Sequence, residues 1–371
     1  MEMASLVQRI FEKAARNMVA LNASFELTRR CNAFCPHCYC ARQTGGSELG
    51  TREACRALSK LADLGCMFLT LTGGEILLRA DALEIAREAR RLGFILRLKT
   101  NGLLLDESAA QEMARLSPEA VHMSLYGADS ATHDSFTGVP GSFERLTAAA
   151  KALRARGVPV LLAATFTAHN FRQCARMYEL AGSLGAALRG SPSISRTRAG
   201  DERPLKAAIR NVEDIAWLLE AKLRAAPPPE SALGRLTGRA MPLSDYNLCS
   251  AGFTNLRVDP SGNVHPCLLI ERPLGNILDD DLHAIWRQHE YLEHLRSLRR
   301  SDCEVCRECE LEVLCRRCPA ESLHEHGSLT APSSAACLVA RAWKMVLGED
   351  PIGKIRSVSA VALPRLESCP E

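Results

Sequence analysis

The chain reads as an α/β protein: a parallel sheet built from six strand–helix units, followed by a smaller cysteine-rich region. Three observations point there. Between residues 23 and about 191, short apolar runs alternate with stretches of helical periodicity. The spacing Cys31-x3-Cys35-x2-Cys38 follows the first of those runs directly. Eight further cysteines crowd into residues 249–337. Strands alternating with helices favour a parallel sheet with right-handed crossovers, whereas cysteines this dense need an explanation other than core packing.

The strands are expected in the following order. Ala23–Thr28 is the first, and the cysteine run lies just past its C-terminal end, where α/β barrels keep their active sites. Met67–Thr72 is the second; Gly73-Gly74-Glu75 follows it immediately. Asp81–Leu92 is helical by spacing and stops at Gly93. Phe94–Lys99 then forms a strand that ends in the turn Thr100-Asn101-Gly102. Ala120–Tyr126 is the fourth strand, Val158–Thr165 the fifth, after a helix closed by Gly157, and Ala186–Gly190 the sixth and weakest. Six units are too few for a full eight-fold barrel.

Composition narrows the function. With 371 residues, 47% hydrophobic and 24% charged, the chain fits a globular enzyme of two or three domains. A net charge of +3 is too small to imply nucleic acid as a partner, and the basic stretch Arg296–Arg300 reads as a solvated helix end. No apolar run approaches the ~20 residues needed to cross a bilayer. The N-terminal residues 1–10 are amphipathic and lack the apolar core of a signal peptide. A cytoplasmic location is therefore expected, where thiols stay reduced, so metal ligation accounts better than disulfides for sixteen cysteines.

Three thiolates on one loop can hold three irons of a [4Fe–4S] cube and leave the fourth iron without a protein ligand. Zinc knots usually need four ligands in paired spacing. The two glycines after the second strand let backbone approach a ligand closely, and a carboxylate beside them can accept from an ammonium. These residues resemble the radical S-adenosylmethionine (SAM) family. The resemblance implies an open, partial (β/α)6 TIM-like barrel over residues 23–200. It also implies a [4Fe–4S] cluster on Cys31, Cys35 and Cys38, and SAM bound through its amino and carboxylate groups at the open iron. It places Gly73, Gly74 and Glu75 at SAM's methionine, Ser124 at its polar groups, and His37 beside the adenine, where the family usually has an aromatic residue. Arg196 or Arg198, just past the sixth strand, is the expected carboxylate partner. Two departures stand out: Ile76 follows the motif where many members have proline, and Tyr126 stands where relatives often have aspartate.

Residues 201–245 read as a helical bridge, 246–345 as a separate cysteine-rich domain, 1–22 as an N-terminal helix and 346–371 as a tail. Cys249, Gly262, Cys267 and the run Cys306-x2-Cys309-x5-Cys315-x2-Cys318, with Cys337 beyond, resemble the SPASM domain, the twin-cluster extension of many peptide-modifying radical SAM enzymes. The departure is two residues, not three, between Cys315 and Cys318. Carried over, one auxiliary [4Fe–4S] cluster falls to Cys249, Cys267 and Cys318, either with an open iron or with Cys303 as a fourth ligand. The other falls to Cys306, Cys309, Cys315 and Cys337. Structural zinc is the rival for this half, since paired C-x2-C is also zinc spacing. Cys55, Cys66 and Cys174 are expected in the core; Cys40 and Cys369 receive no role.

Together the resemblances imply an enzyme that cleaves SAM reductively to a 5′-deoxyadenosyl radical and abstracts hydrogen from a substrate. The expected substrate is a ribosomally made peptide or protein that is crosslinked, epimerised or oxidised. A small molecule or tetrapyrrole, sulfatase maturation, and a non-catalytic iron–sulfur electron carrier are the alternatives; the Gly-Gly-Glu motif argues against the last. The first strand starts near residue 23, which leaves no room for a leader-gripping domain, so a separate leader-binding protein or the barrel mouth is expected to take that role. A low-potential donor such as flavodoxin or ferredoxin is the expected source of electrons, and neither membrane nor nucleic acid is an expected partner.

Overall fold

The computed structural model describes residues 2–40, 46–227 and 248–348. The six predicted strands are present, each within two residues of its expected ends: β1 Asn22–Glu26, β2 Phe68–Thr72, β3 Ile95–Thr100, β4 Ala120–Ser124, β5 Val160–Thr165 and β6 Ala187–Ser191. At the C-terminal ends of β1 and β4 the chain leaves the sheet two residues earlier than expected and turns into loops. They pair in sequence order, all parallel, which is what repeated right-handed βα units produce.

Helices α1 Glu2–Arg16, α2 Thr51–Asp63, α3 Ala82–Arg91, α4 Glu107–Arg115, α5 Ser130–Thr137, α6 Ser142–Ala155 and α7 Cys174–Ser183 accompany these strands. Their starts are encoded locally. The Asp106 carboxylate accepts from Ala109 N–H at 2.8 Å, and Asp129 accepts from Thr132 N–H at 3.0 Å. Apolar residues at helical spacing, such as Ala54, Ala57, Leu58 and Leu61 on α2, are buried against Leu69, Leu71, Leu96 and Leu98 of the strands.

The bridge contains α8 Val212–Ala225, capped by Asn211, whose side chain accepts from Asp214 N–H at 2.7 Å. The rest of that expected bridge, 228–245, the next two residues, and most of the expected tail, 349–371 with Cys369, lie outside the described residues. Beyond them come β7 Asn255–Val258, β8 Asn263–His265, β9 Gly275–Asn276, α9 Leu282–Gln288, α10 Glu290–Ser297, α11 Pro319–His326 and α12 Ser334–Leu347. Helix α12 packs along α8.

The cysteine-rich segment is not a bead on a linker. Strand β7 pairs in parallel with β1, Ser24 opposite Arg257, and β8 and β9 continue antiparallel, giving one sheet of nine strands in the order β6-β5-β4-β3-β2-β1-β7-β8-β9. Among the described residues the sheet does not close: β6 and β9 are its edges. Buried Trp286 on α9 donates from Nε1 to the Met18 carbonyl at 2.6 Å and ties the segment to the chain just ahead of β1.

Candidate active site

The cysteine loop leaves β1 and is strapped to the barrel on two sides. Phe34 N–H donates to the Thr137 carbonyl at 2.6 Å, at the end of α5, and Asn101 Nδ2 donates to Asn32 Oδ1 at 2.7 Å, at the turn after β3. Cys31, Cys35 and Cys38 line a cavity of about 170 Å³ together with Gly73, Gly74, Lys99 and Ser124. This is the triplet, the glycine turn and the polar end of β4 brought to one place.

The glycines are required there. A Cβ on Gly73, whose φ is +141°, would stand 2.4 Å from the Thr28 carbonyl oxygen, and one on Gly74 would stand 2.1 Å from that of Arg30. Only bare backbone lets the exit of β2 lie flush against the cysteine loop, where Gly74 N–H donates to Thr28 O at 2.8 Å and Glu75 N–H to Arg30 O at 2.8 Å.

Glu75 is placed differently from its expected contact with SAM. It is fully buried, and its carboxylate accepts from Leu77 N–H at 3.0 Å, Thr100 Oγ1 at 2.7 Å and Asn101 N–H at 2.6 Å. It fastens β2 to β3 beneath the pocket. Burial raises its pKa, and those three donors oppose the rise.

His37 enters a ring cluster, 4.8 Å from Tyr126 and 5.1 Å from Phe136 between centroids. Burial lowers its pKa to about 4, so the ring is neutral at pH 7, and Nδ1 has no hydrogen-bond partner among the described residues. Tyr126 packs in this cluster, which also answers what replaces the family's usual aspartate: a buried aromatic whose hydroxyl is within hydrogen-bond reach of Ser124. Cys40 is a fourth thiol in the same cavity. Its hydrogen bond to Cys38 holds the Cys38 thiol below the usual range, while Cys40 itself is pushed up.

Of the two arginines after β6, Arg196 is not brought here. It binds Glu202 Oε1 through Nη2 at 2.7 Å and lines a separate crevice with His324 and Glu325. Arg198 lies beside the pocket, in a small crevice it lines with Cys40, Gly73 and Gly74: it pairs with Glu26, donates from Nε to Leu268 O at 2.7 Å and lies over the Tyr39 ring. Sequence reasoning passed over its setting, a buried network at the β1–β7 junction. Arg257 binds Glu26 at 3.1 Å and Glu271 at 2.8 Å, Arg29 binds Asp259 at 3.2 Å, and His265 stands 3.5 Å from Asp259. Asp259, His265 and Glu271 are close enough to share a cation, but these arginines already neutralise both carboxylates.

Cys249, Cys267 and Cys318 line one cavity of about 700 Å³, which also reaches His37 and Tyr39 on the first cysteine loop and Ser24, Thr70 and Arg97 on the barrel wall. Cys337 is an electrostatic neighbour of Cys306 and Cys309, and Cys315 of Cys337 and Cys306. Burial raises the Cys249, Cys315 and Cys337 thiols, and Cys318 to about 11. A bound metal would supply the missing positive charge that holds such sulfurs as thiolates. Cys303 is fully buried, accepts from Arg317 Nη2 at 3.1 Å, and has Cys306 as its thiol neighbour. Cys66 and Cys174 are core residues, as expected; Cys55 is only partly buried.

Comparison with known proteins agrees with this arrangement. Residues 25–181 match the family model described as the radical SAM superfamily, and residues 249–310 match the SPASM iron–sulfur cluster-binding domain. A PqqA peptide cyclase from Ruegeria pomeroyi is 30% identical over 303 residues, covering 77% of this chain and 78% of that protein. The chain belongs to the radical SAM superfamily. An AdoMet-dependent heme synthase from Methanosarcina barkeri is 29% identical over 320 residues, 81% of this chain and 91% of that protein.

Among solved structures, anSMEcpe with bound AdoMet and a peptide aligns with a TM-score of 0.68 at 18% identity, covering 91% of this chain and 99% of that one. SuiB of Streptococcus suis bound to its precursor peptide SuiA aligns with a TM-score of 0.66 at 17% identity, covering 88% and 79%. This radical SAM protein is therefore an enzyme whose cofactors are SAM and [4Fe–4S] clusters, on a TIM-like partial barrel with a SPASM region. No helix among the described residues is long and apolar enough to cross a membrane.

Proposed function

We propose that this enzyme modifies a ribosomally made peptide, joining or oxidising side chains after hydrogen abstraction. The chemistry supplied at Cys31, Cys35 and Cys38 with cluster and SAM in place is reductive SAM cleavage to a 5′-deoxyadenosyl radical. The chain's own residues then have three tasks. Gly73 and Gly74 hold the pocket floor, and the His37, Tyr126 and Phe136 rings form a dry wall beside it. Ser124 offers the polar contact, and Arg198, unlike Arg196, shares a small adjoining crevice with Cys40 and the two glycines. The proposed auxiliary ligands Cys249, Cys267 and Cys318 face the substrate side.

The observation that carries this reading is the 700 Å³ cavity running from the first cysteine loop to that three-cysteine set. It is large enough for one or two side chains of a peptide entering from the mouth. The likeness to PqqA peptide cyclases supports a peptide; the likeness to heme synthases over 81% of the chain supports a tetrapyrrole as the second reading.

The test is anaerobic incubation of reconstituted enzyme with SAM and dithionite. Short peptides encoded beside the gene are one substrate set and iron porphyrins the other. Loss of two hydrogens from a peptide, with matching 5′-deoxyadenosine and none from Cys35→Ala, is the expected result. Turnover of porphyrin alone refutes the peptide reading.

A further inference from the structure

The inner face of the partial barrel carries an unusual set of charges. Side chains alternate along a strand, and the register fixes which ones share a face. Thr70 lies opposite Arg97, Lys99 opposite His122, Ser124 opposite Ala163, and Ala163 opposite Arg189. Thr70 and Arg97 line the large cavity, and Lys99 and Ser124 line the cysteine pocket, so this is the lumen face of β2 to β6. The alternate residues Leu96, Leu98, Val121, Met123 and Leu162 are buried on the other face, under the helices. Closed eight-stranded barrels fill the lumen with bulky apolar side chains. Here Arg97, Lys99, His122 and Arg189 stand on it.

Their counter-charges are few. Glu119 pairs with Arg97 from the rim. Glu26 is already shared by Arg198 and Arg257. Among the described residues, no acid comes within ion-pair distance of Lys99 or Arg189. Burial lowers the Lys99 ammonium pKa. Burial, and then the positive charges of Lys99, Arg97 and Arg189, lowers His122 to about 4. Cations crowded together without partners oppose one another until an anion joins them. Bound SAM brings a single carboxylate, and Lys99 is the member of the set that reaches its pocket.

We propose that this lumen face is a receptor for carboxylate groups of the substrate, with Arg97 and Arg189 as the outer anchors and Lys99 and His122 between them. The inference rests on the large cavity being the substrate chamber. From β3 to β6 is three strand spacings, roughly 14 Å. That spread suits several separate carboxylates better than one compact phosphate. Guanidinium groups bind carboxylates through paired N–H donors, which fixes orientation as well as charge. Two sources carry such groups: aspartate and glutamate side chains of a peptide, or the propionates of a tetrapyrrole.

The experiment is direct binding to the full-length, iron-reconstituted, SAM-loaded protein by equilibrium dialysis. The probes are a short glutamate-rich peptide, its glutamine counterpart, a tetracarboxylate porphyrin and its tetra-amide. The acid form of one source should bind at least about tenfold more tightly than its amide, with the preference shrinking as salt rises. Arg97→Gln and Arg189→Gln should each weaken that acid by about tenfold. Arg189 is exposed on an edge strand, so Arg189→Gln should fold and keep its iron. Preference for the acidic peptide assigns the carboxylates to a peptide. Preference for the acidic porphyrin keeps the carboxylate receptor and removes the peptide reading above. Equal binding of acid and amide in both sources, no binding of either acid, or undiminished acid binding by both variants overturns the proposal.

Discussion

Single residues at this site are held by contacts that predict their own failure. Gly74→Ala places a methyl 2.1 Å from a backbone oxygen of the cysteine loop, and neither backbone can yield cheaply. The variant should lose about four irons per chain in reconstitution and show weaker SAM binding by calorimetry; full iron would mean the loop moves freely. His133 is a second case. It is 2% exposed, its Nδ1 accepts from Tyr126 N–H at 3.2 Å, and burial lowers its pKa to about 4. Above the usual value near 6.5 the ring is neutral folded or unfolded, and stability is unaffected. Between about 6.5 and 4 only the unfolded chain takes the proton, so stability falls with pH across that window and levels below it. His133→Gln retains an acceptor but not the proton site, so its melting temperature should fall less than the parent's between pH 7 and 5. Identical slopes would sink the assignment. The triplet and the glycine turn were legible because their chemistry lives in spacing. Glu75, Arg196 and Arg198 were not, because whether a charged side chain meets a ligand or a protein partner is decided by burial and long-range neighbours. The alternation Leu96-Arg97-Leu98-Lys99 was visible, yet an apolar strand pattern hides which face its cations take.

At the scale of elements, cysteines far apart in sequence are sorted by the loops that carry them. Cys249 precedes β7, Cys267 follows β8 and Cys318 immediately precedes α11, and all three open on one cavity. Cys306, Cys309 and Cys315 lie on one short stretch, with Cys337 opposite them on α12. If both sets and the triplet close cubes, reconstituted protein should hold about twelve irons. Cys303→Ala should keep all of them, because Cys303 is engaged with Arg317 and lies outside the cavity-facing set. Loss of about four irons would make Cys303 a ligand. Cys309→Ala/Cys315→Ala should lose about four irons, still cleave SAM, and fail on substrate, provided circular dichroism shows it folded. Zinc in place of iron would overturn both assignments. Strand positions were readable from apolar runs bounded by glycine and turn residues. The pairing of β7 with β1 was not, since parallel partners more than two hundred residues apart leave no local trace.

For the whole molecule, that pairing decides how the two halves share stability. A sheet continuous from β6 to β9 gives the barrel and the cysteine-rich region common hydrogen bonds, and the junction is reinforced by charge. Arg257, 1% exposed on β7, holds Glu26 of β1 and Glu271 beyond β8, while Arg198 reaches Glu26 from the segment after β6. Removing one partner from a buried ion pair leaves the other charge desolvated, at a cost of about 3–5 kcal/mol. Arg198 still neutralises Glu26, so Arg257→Met, which keeps much of the volume, should fall at the lower end, about 3 kcal/mol. The consequence should not be confined to the cysteine-rich half. Far-ultraviolet circular dichroism reports mainly the barrel helices, and visible absorption reports the clusters. In denaturant both signals should be lost together in the parent, and both midpoints should shift down together in Arg257→Met. Two separated transitions, with only the visible signal moved by the substitution, would show that the halves fold independently and that the shared sheet is only a contact between them.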